Sequence, residues 1–178
     1  DDNNKNIDDM NEVNKKGIKM CEDYDPIIET VNFNMNCALD NYYISATDDS
    51  TKLLCFNNTN KKLIYSLLSK GTVNKELKLK LNNKKEKIKK ENRNHKTSKL
   101  DVKLHEKPIW NIGIESAAAD LNINLKDIRV NNLNISGVTS DLDLMLGDLE
   151  KNVEVDISTV MADLKIDIPK DAYCVIKA

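Results

Sequence analysis

Apolar and polar residues alternate with period two over much of this chain. Val31, Phe33, Met35 and Cys37 are separated by asparagines at 32, 34 and 36; Leu77, Leu79 and Leu81 are separated by lysines. Leu100, Val102 and Leu104 repeat the pattern. Alternation of this kind sends one set of side chains to each face of a strand. Further strands are expected from Tyr42 to Ala46 and from Lys52 to Phe56, with turns at Asp48 to Ser50 and Asn57 to Asn60. Lys61 to Ser69 fits either a helix, by the spacing of Leu63, Ile64, Leu67 and Leu68, or a strand. Residues 84–96 are a charge run that reads as the exposed loop of a long hairpin, with 100–104 as the returning strand.

The last third repeats one phrase three times. A small residue (Ala119, Ser140, Ala162) precedes an aspartate, and alternating apolar residues follow. Asp120, Asp141 and Asp163 lie 21 and 22 residues apart, each six residues after an isoleucine: Ile114, Ile135 and Ile157. A fixed period of this length predicts coils stacked in register, because one coil cannot bury its own apolar face. Leu121, Leu142 and Leu164 should form one interior column and the three isoleucines another. Ile123, Leu144 and Ile166 should form a third, Leu125, Leu146 and Ile168 a fourth, and Ile128 should lie over Leu149. The fold class expected is all-β: a single-stranded, parallel β-helix-like solenoid with a meandering N-terminal strand region. Residues 1–24, rich in Asn, Asp and Lys, read as a polar, disordered tether. A single β domain spans 25–178, divided into an N-terminal strand region with the basic hairpin (25–107) and the repeated coils (108–178).

The 178 residues are 40% hydrophobic but only 4% aromatic, which suits a core of aliphatic strands. No apolar run is long enough to cross a bilayer as a helix. The net charge of −2 conceals an asymmetry: residues 75–107 hold thirteen Lys or Arg against five acidic residues. A solvated, lysine-decorated hairpin is the plain reading. A contact with an anionic surface through Lys84, Lys85, Lys87, Lys89, Lys90 and Arg93 is the functional one. Without interleaved aromatics this segment has no basis for stacking on nucleic acid. Cys21, Cys37, Cys55 and Cys174 are too widely spaced for a zinc site. An even count permits disulfides without requiring them, and Cys37, Cys55 and Cys174 read as small apolar core residues. The aspartate ladder reads as a structural corner, each carboxylate accepting backbone N–H bonds, rather than as a cation site. His95 and His105, both in the basic region, are expected at the surface. No catalytic, cofactor or metal residue emerges.

The three-fold phrase resembles the toast-rack family of bacterial envelope proteins, and the C-terminal domain of LiaF-type cell-wall-antibiotic-response regulators. The residues that carry the likeness are Ala117 to Asp120, Val138 to Asp141 and Val160 to Asp163, preceded by Trp110 in its strand and closed by Ile168 to Tyr173. Where that family repeats Gly-Ala-Gly-Asp, this chain has Ala, Ser or Val in place of glycine. The resemblance implies a module held to a bacterial membrane by an N-terminal anchor upstream of Asp1, extracytoplasmic, with the cytoplasmic face as the other possibility. It also implies a link to envelope-stress signalling through a membrane sensor protein, and no catalytic residue. The function expected is a non-enzymatic envelope module that binds a protein or surface partner. A structural or adhesive solenoid is the first alternative, and a polysaccharide-active enzyme the second.

Overall fold

A computed structural model describes residues 13–38, 40–61, 63–82, 99–160 and 163–172. The described elements are all strands. In chain order they are β1 (Val13–Gly17), β2 (Lys19–Asp23), β3 (Thr30–Ala38), β4 (Asn41–Ala46), β5 (Lys52–Asn58) and β6 (Tyr65–Lys70). There follow β7 (Asn74–Leu81), β8 (Lys99–Leu104), β9 (Ile109–Leu125), β10 (Val130–Leu146), β11 (Glu154–Val160) and β12 (Asp163–Asp167).

The unit of this fold is a bent layer with two arms. β9 and β10 each make a whole layer as one 17-residue strand. Elsewhere two strands share the work: β3 pairs with the first half of β9 and β4 with the second half. β7 then pairs with β3, and β8 with β4. Beyond them lie β6 with β5, and finally β1 with β2. At the opposite end β11 and β12 pair with the two halves of β10. First arms therefore run β1–β6–β7–β3–β9–β10–β11, and second arms β2–β5–β8–β4–β9–β10–β12.

Register follows the aliphatic columns. Ile135 lies between Ile114 and Ile157, and Leu142 between Leu121 and Leu164. Leu144 lies between Ile123 and Ile166, and Leu146 pairs with Leu125. The isoleucine column continues through Met35 to Leu79 and Leu67. Like side chains at one height fill one slot per layer, so burial is repeated without new shapes having to be fitted. The two arms face a common core. Phe56 of β5 packs on Tyr65 of β6 with ring centroids 4.7 Å apart, and the Tyr42 and Tyr65 hydroxyls meet at 3.0 Å. Burial pushes the Tyr65 phenol up to about 12 and raises that of Tyr42 as well.

Between the arms the chain bends. Ala118 sits at φ 59° and Gly137 at φ 105°. A Cβ on Gly137 would lie 2.1 Å from the carbonyl oxygen of Ser116, so glycine is required there by space as well as by φ. Ala118 meets the same demand with a side chain, at a cost of roughly 1–2 kcal/mol. The ladder slips at these bends, between Val138 and Thr139 and between Thr139 and Leu142.

Three expectations are corrected and one open choice is settled. The fold is all-β, but it is not a parallel β-helix throughout. Parallel pairing runs from β7/β8 to β11/β12, whereas β5/β6 and β1/β2 run antiparallel to their neighbours. β7 and β8 are not the two strands of a hairpin: they are the two arms of one layer, paired to different partners. Alternation fixes which face a strand buries and is silent on its neighbour. Residues 13–23 form β1 and β2 rather than a tether, because an end strand needs only one buried face and Met20 with Glu22 supplies it. Residues 1–12 lie outside the described residues. The ambiguous 61–69 stretch resolves as a strand from Tyr65, with Tyr65, Leu67 and Ser69 inward.

Candidate functional site

The basic positions Lys84, Lys85, Lys87, Lys89, Lys90 and Arg93 lie outside the described residues, as do His95 and Cys174. Their flanks are described. Lys78 and Lys80 on β7, and Lys99 and Lys103 on β8, lie on the outer side of the layer that the charge run interrupts. Lys99 lies over the Tyr43 ring at 4.6 Å, and Lys103 donates to Ser45 Oγ at 2.7 Å.

The aspartate ladder is in register but is not held as expected. Asp141 pairs with Asp163, and Asp120 stands beside Asp141 one layer away. None of the three carboxylates takes a hydrogen bond from a described residue; the bend is a backbone feature, set by Ala118 and Gly137. Asn41, Tyr43, Asp120, Asn122, Asp141 and Asp143 line a groove of about 180 Å³ over these positions. Among the described residues no three His, Cys, Asp or Glu side chains are grouped to hold a metal ion. Stacked carboxylates without donors repel across the layer spacing. Asp141→Asn should therefore leave thermal stability unchanged or raise it at low salt, with the gain fading as salt is added. A fall in melting temperature at low salt would show that the carboxylate has a donor after all.

His105 is buried, not exposed. Its ring stacks on Tyr24 at 3.8 Å, Nδ1 accepts from the Lys107 N–H at 3.1 Å, and Nε2 faces the Ser50 carbonyl at 3.1 Å. An accepting Nδ1 leaves the hydrogen of a neutral ring on Nε2, where it donates to Ser50. The carbonyl of the same residue receives Trp110 Nε1–H at 2.8 Å. This histidine ties loops to the core.

Two polar features have no simple trace in the repeat. Glu22, on the inner face of β2, accepts from Lys15 Nζ at 2.9 Å and Ser69 Oγ at 2.7 Å, and pairs with Lys75 at 3.2 Å. Burial acts to raise its pKa, but the bonds from Lys15, Ser69 and Lys75 outweigh it and hold the carboxyl below its ordinary value. The folded state thus binds this proton less readily than the unfolded chain. Its contribution is complete above the unfolded carboxylate range and is lost as pH falls through the folded pKa. Glu22→Gln should destabilise by roughly 2 kcal/mol at pH 7, because Lys75 is left largely buried without its partner. The difference between variant and wild type should begin to narrow in urea titrations as pH falls through the ordinary carboxylate range, about pH 4, and close only below the lowered folded pKa. Equal midpoints at pH 7 would remove Glu22 from the account.

The second feature is on the outer face of the first arms. Asn111 Nδ2 donates to Asn32 Oδ1 at 2.9 Å, and Asn131 Nδ2 to Asn111 Oδ1 at 3.3 Å. Asn36 Nδ2 donates to Glu115 at 2.7 Å. Asn34 and Asn134 flank Gly113, where a Cβ would meet Asn34 Oδ1 at 2.3 Å, so the amide lies across the glycine. The result is a row of amides spanning β3, β9 and β10. The signal was the polar half of the alternation at 32, 34 and 36, which a reading of the buried half passes over.

Cys55 is not an apolar core residue: it forms a disulfide with Cys21, joining β5 to β2 across a sequence separation of 34. Cys37 is a buried free thiol whose pKa burial raises.

No curated protein matches the chain. Among solved structures it is similar to the crystal structure of a putative cell adhesion protein from Clostridium sporogenes ATCC 15579, with a TM-score of 0.51. The two are 11% identical, and the likeness covers 89% of this chain and 100% of that one. At that identity the likeness speaks for the fold alone. A family model described as "N-terminal domain of toast_rack, DUF2154" matches residues 4–167. With bent layers stacked in register and a family match over nearly its whole length, the chain belongs to the toast-rack family.

Proposed function

We propose that this domain is an exported, non-enzymatic module of the bacterial cell envelope that adheres to a surface through the amide row of β3, β9 and β10. The observation that carries the reading is the in-register array of Asn32, Asn34, Asn36, Asn111 and Asn134 on one side of a sheet. Each amide offers donors and acceptors beyond those used within the row, and such pairs match the hydroxyls of a wall polysaccharide. The Cys21–Cys55 disulfide supports an oxidising, extracytoplasmic location. Family membership and the likeness to a putative cell adhesion protein support an adhesive role. The resemblance to LiaF-type regulators supports a membrane tether and a sensor partner in envelope-stress signalling.

A second contact is favoured by the positive surplus of residues 75–107, which suits an anionic polymer. Sedimentation with purified cell wall tests both. Replacing Asn34, Asn36 and Asn134 with Ala should abolish the salt-resistant part of the binding with the melting temperature unchanged. Replacing Lys84, Lys85, Lys87, Lys89 and Lys90 with Gln should remove only the salt-sensitive part. Wild-type protein that stays in the supernatant at low salt defeats both readings. Salt-resistant binding that survives the asparagine triple variant defeats the first.

A further inference from the structure

The two ends of the stack differ. At the β1/β2 end, Glu22 is closed over by Lys15 and Lys75, and the disulfide ties the end layer down. At the β11/β12 end, residues of the interior columns stand open: Leu164 is 49% exposed and Ile166 40%, with Ile168 beside them at 44%. The backbone edges of β11 and β12 pair on one side only among the described residues. Stacked-layer proteins need a polar terminal cap to remain single, and this end has none among the described residues.

We propose that the open layer is an interface for a second copy of this chain, joined end to end by a two-fold axis. The molecule already contains the required geometry. β5 and β6 form a layer traversed in reverse, β5 lying antiparallel on β8 and β6 antiparallel on β7. A two-fold copy would set its β12 on β11 and its β11 on β12 in that same sense. An isologous contact closes after two subunits, so it caps both open ends at once.

Side chains select the register. Val155, Ile157 and Thr159 of β11, and Leu164 and Ile166 of β12, point to the interior, so inward residues must oppose inward residues. Setting Ile157 against the partner subunit's Leu164 meets that rule and places Val155 against the partner's Ile166. It also sets Asp156 opposite the partner's Lys165, twice by symmetry. Asp156 and Lys165 are both exposed in the single chain, and among the described residues Lys165 there reaches Asp167 at 2.9 Å and Asp143 at 3.7 Å.

Charge reversal tests the contact by sedimentation equilibrium on the full chain. Wild type should run at twice the 20.2 kDa chain mass. Asp156→Lys and Lys165→Glu should each run as monomers, since each variant opposes like charges. An equimolar mixture of the two should recover the dimer. In the mixed pair the two reversed side chains face each other with opposite charge, and the native Asp156–Lys165 pair is kept on the other side of the axis. In wild type, hydrogen exchange over residues 154–160 and 163–167 should slow as concentration rises; this readout needs no variant. Three results overturn the proposal: a wild-type monomer at about 100 µM with concentration-independent exchange, single variants that remain dimeric, or open-ended polymers in place of a closed pair.

Discussion

Reduction of the Cys21–Cys55 disulfide is expected to lower the unfolding free energy by about 3–4 kcal/mol, the loop-entropy value for a closed segment of this length. The two cysteines are directly opposed in the β2–β5 ladder and are separated by 34 residues of sequence. The cross-link removes conformations from the unfolded chain, and its loss returns them. The folded state suffers in one place: among the described residues the backbone ladders of β1 and β2 join the rest of the stack through β6 and β5, with the Glu22–Lys75 pair reaching on to β7. Urea unfolding with and without reductant measures the total, and amide exchange over residues 13–23 should report the local share first. A shift below about 1 kcal/mol would show that the end layer holds without its cross-link.

Trp110→Ala is expected to cost about 3–5 kcal/mol, the range for emptying a large aromatic site in a core. Trp110 is fully buried, meets Phe33 edge-on at 6.3 Å and donates its indole N–H to the His105 carbonyl. Its backbone N–H bonds the Arg129 carbonyl at 2.8 Å, so the residue stands where loop and strand of successive layers join. Trp110→Phe separates the two contributions. It keeps most of the apolar volume and strands the carbonyl, for a loss of roughly 1–3 kcal/mol. Should Phe prove as damaging as Ala, the hydrogen bond outweighs the packing. Should Ala cost under about 2 kcal/mol, the layer is collapsing to fill the space.

The repeated coils were legible because their evidence was redundant. Three isoleucines and three leucines at one period can share columns in few ways, and the ladder places them as expected. The N-terminal half was legible strand by strand but not in its pairing. Leu77, Leu79 and Leu81 announce a strand with a buried face, yet whether β7 lies beside β8 or β3 depends on residues far away in sequence. Two antiparallel layers leave no repeat to detect. β1 and β2 escaped because an end strand shows a polar face to solvent, and eleven residues with Met20 and Glu22 inward look like tether. His105 was misplaced by its basic neighbours: its environment is set by Tyr24, Ser50 and Lys107, brought together only by the fold. The disulfide could not be read, since four cysteines allow several pairings and only the β2–β5 register selects one. The amide row was visible in the sequence as the asparagines at 32, 34 and 36, but the alternation was read for its buried side.

The place of β3 and β4 in the stack governs the order in which this chain can fold. They are made early, yet they lie between β7/β8 and β9, so one flank stays open until residue 125 has been synthesised. Until then Val31, Phe33, Met35 and Cys37 have an interior with no wall. β10, β11 and β12, by contrast, each add to a surface finished just before them. Assembly is therefore expected to wait on β9 and then to grow rapidly toward the C-terminus, because pairing Thr30 with Ile109 closes a long loop. A nascent chain cut short before β9 is expected to remain soft and protease-sensitive. One extended through β10 should already resist, even though it lacks the final layer.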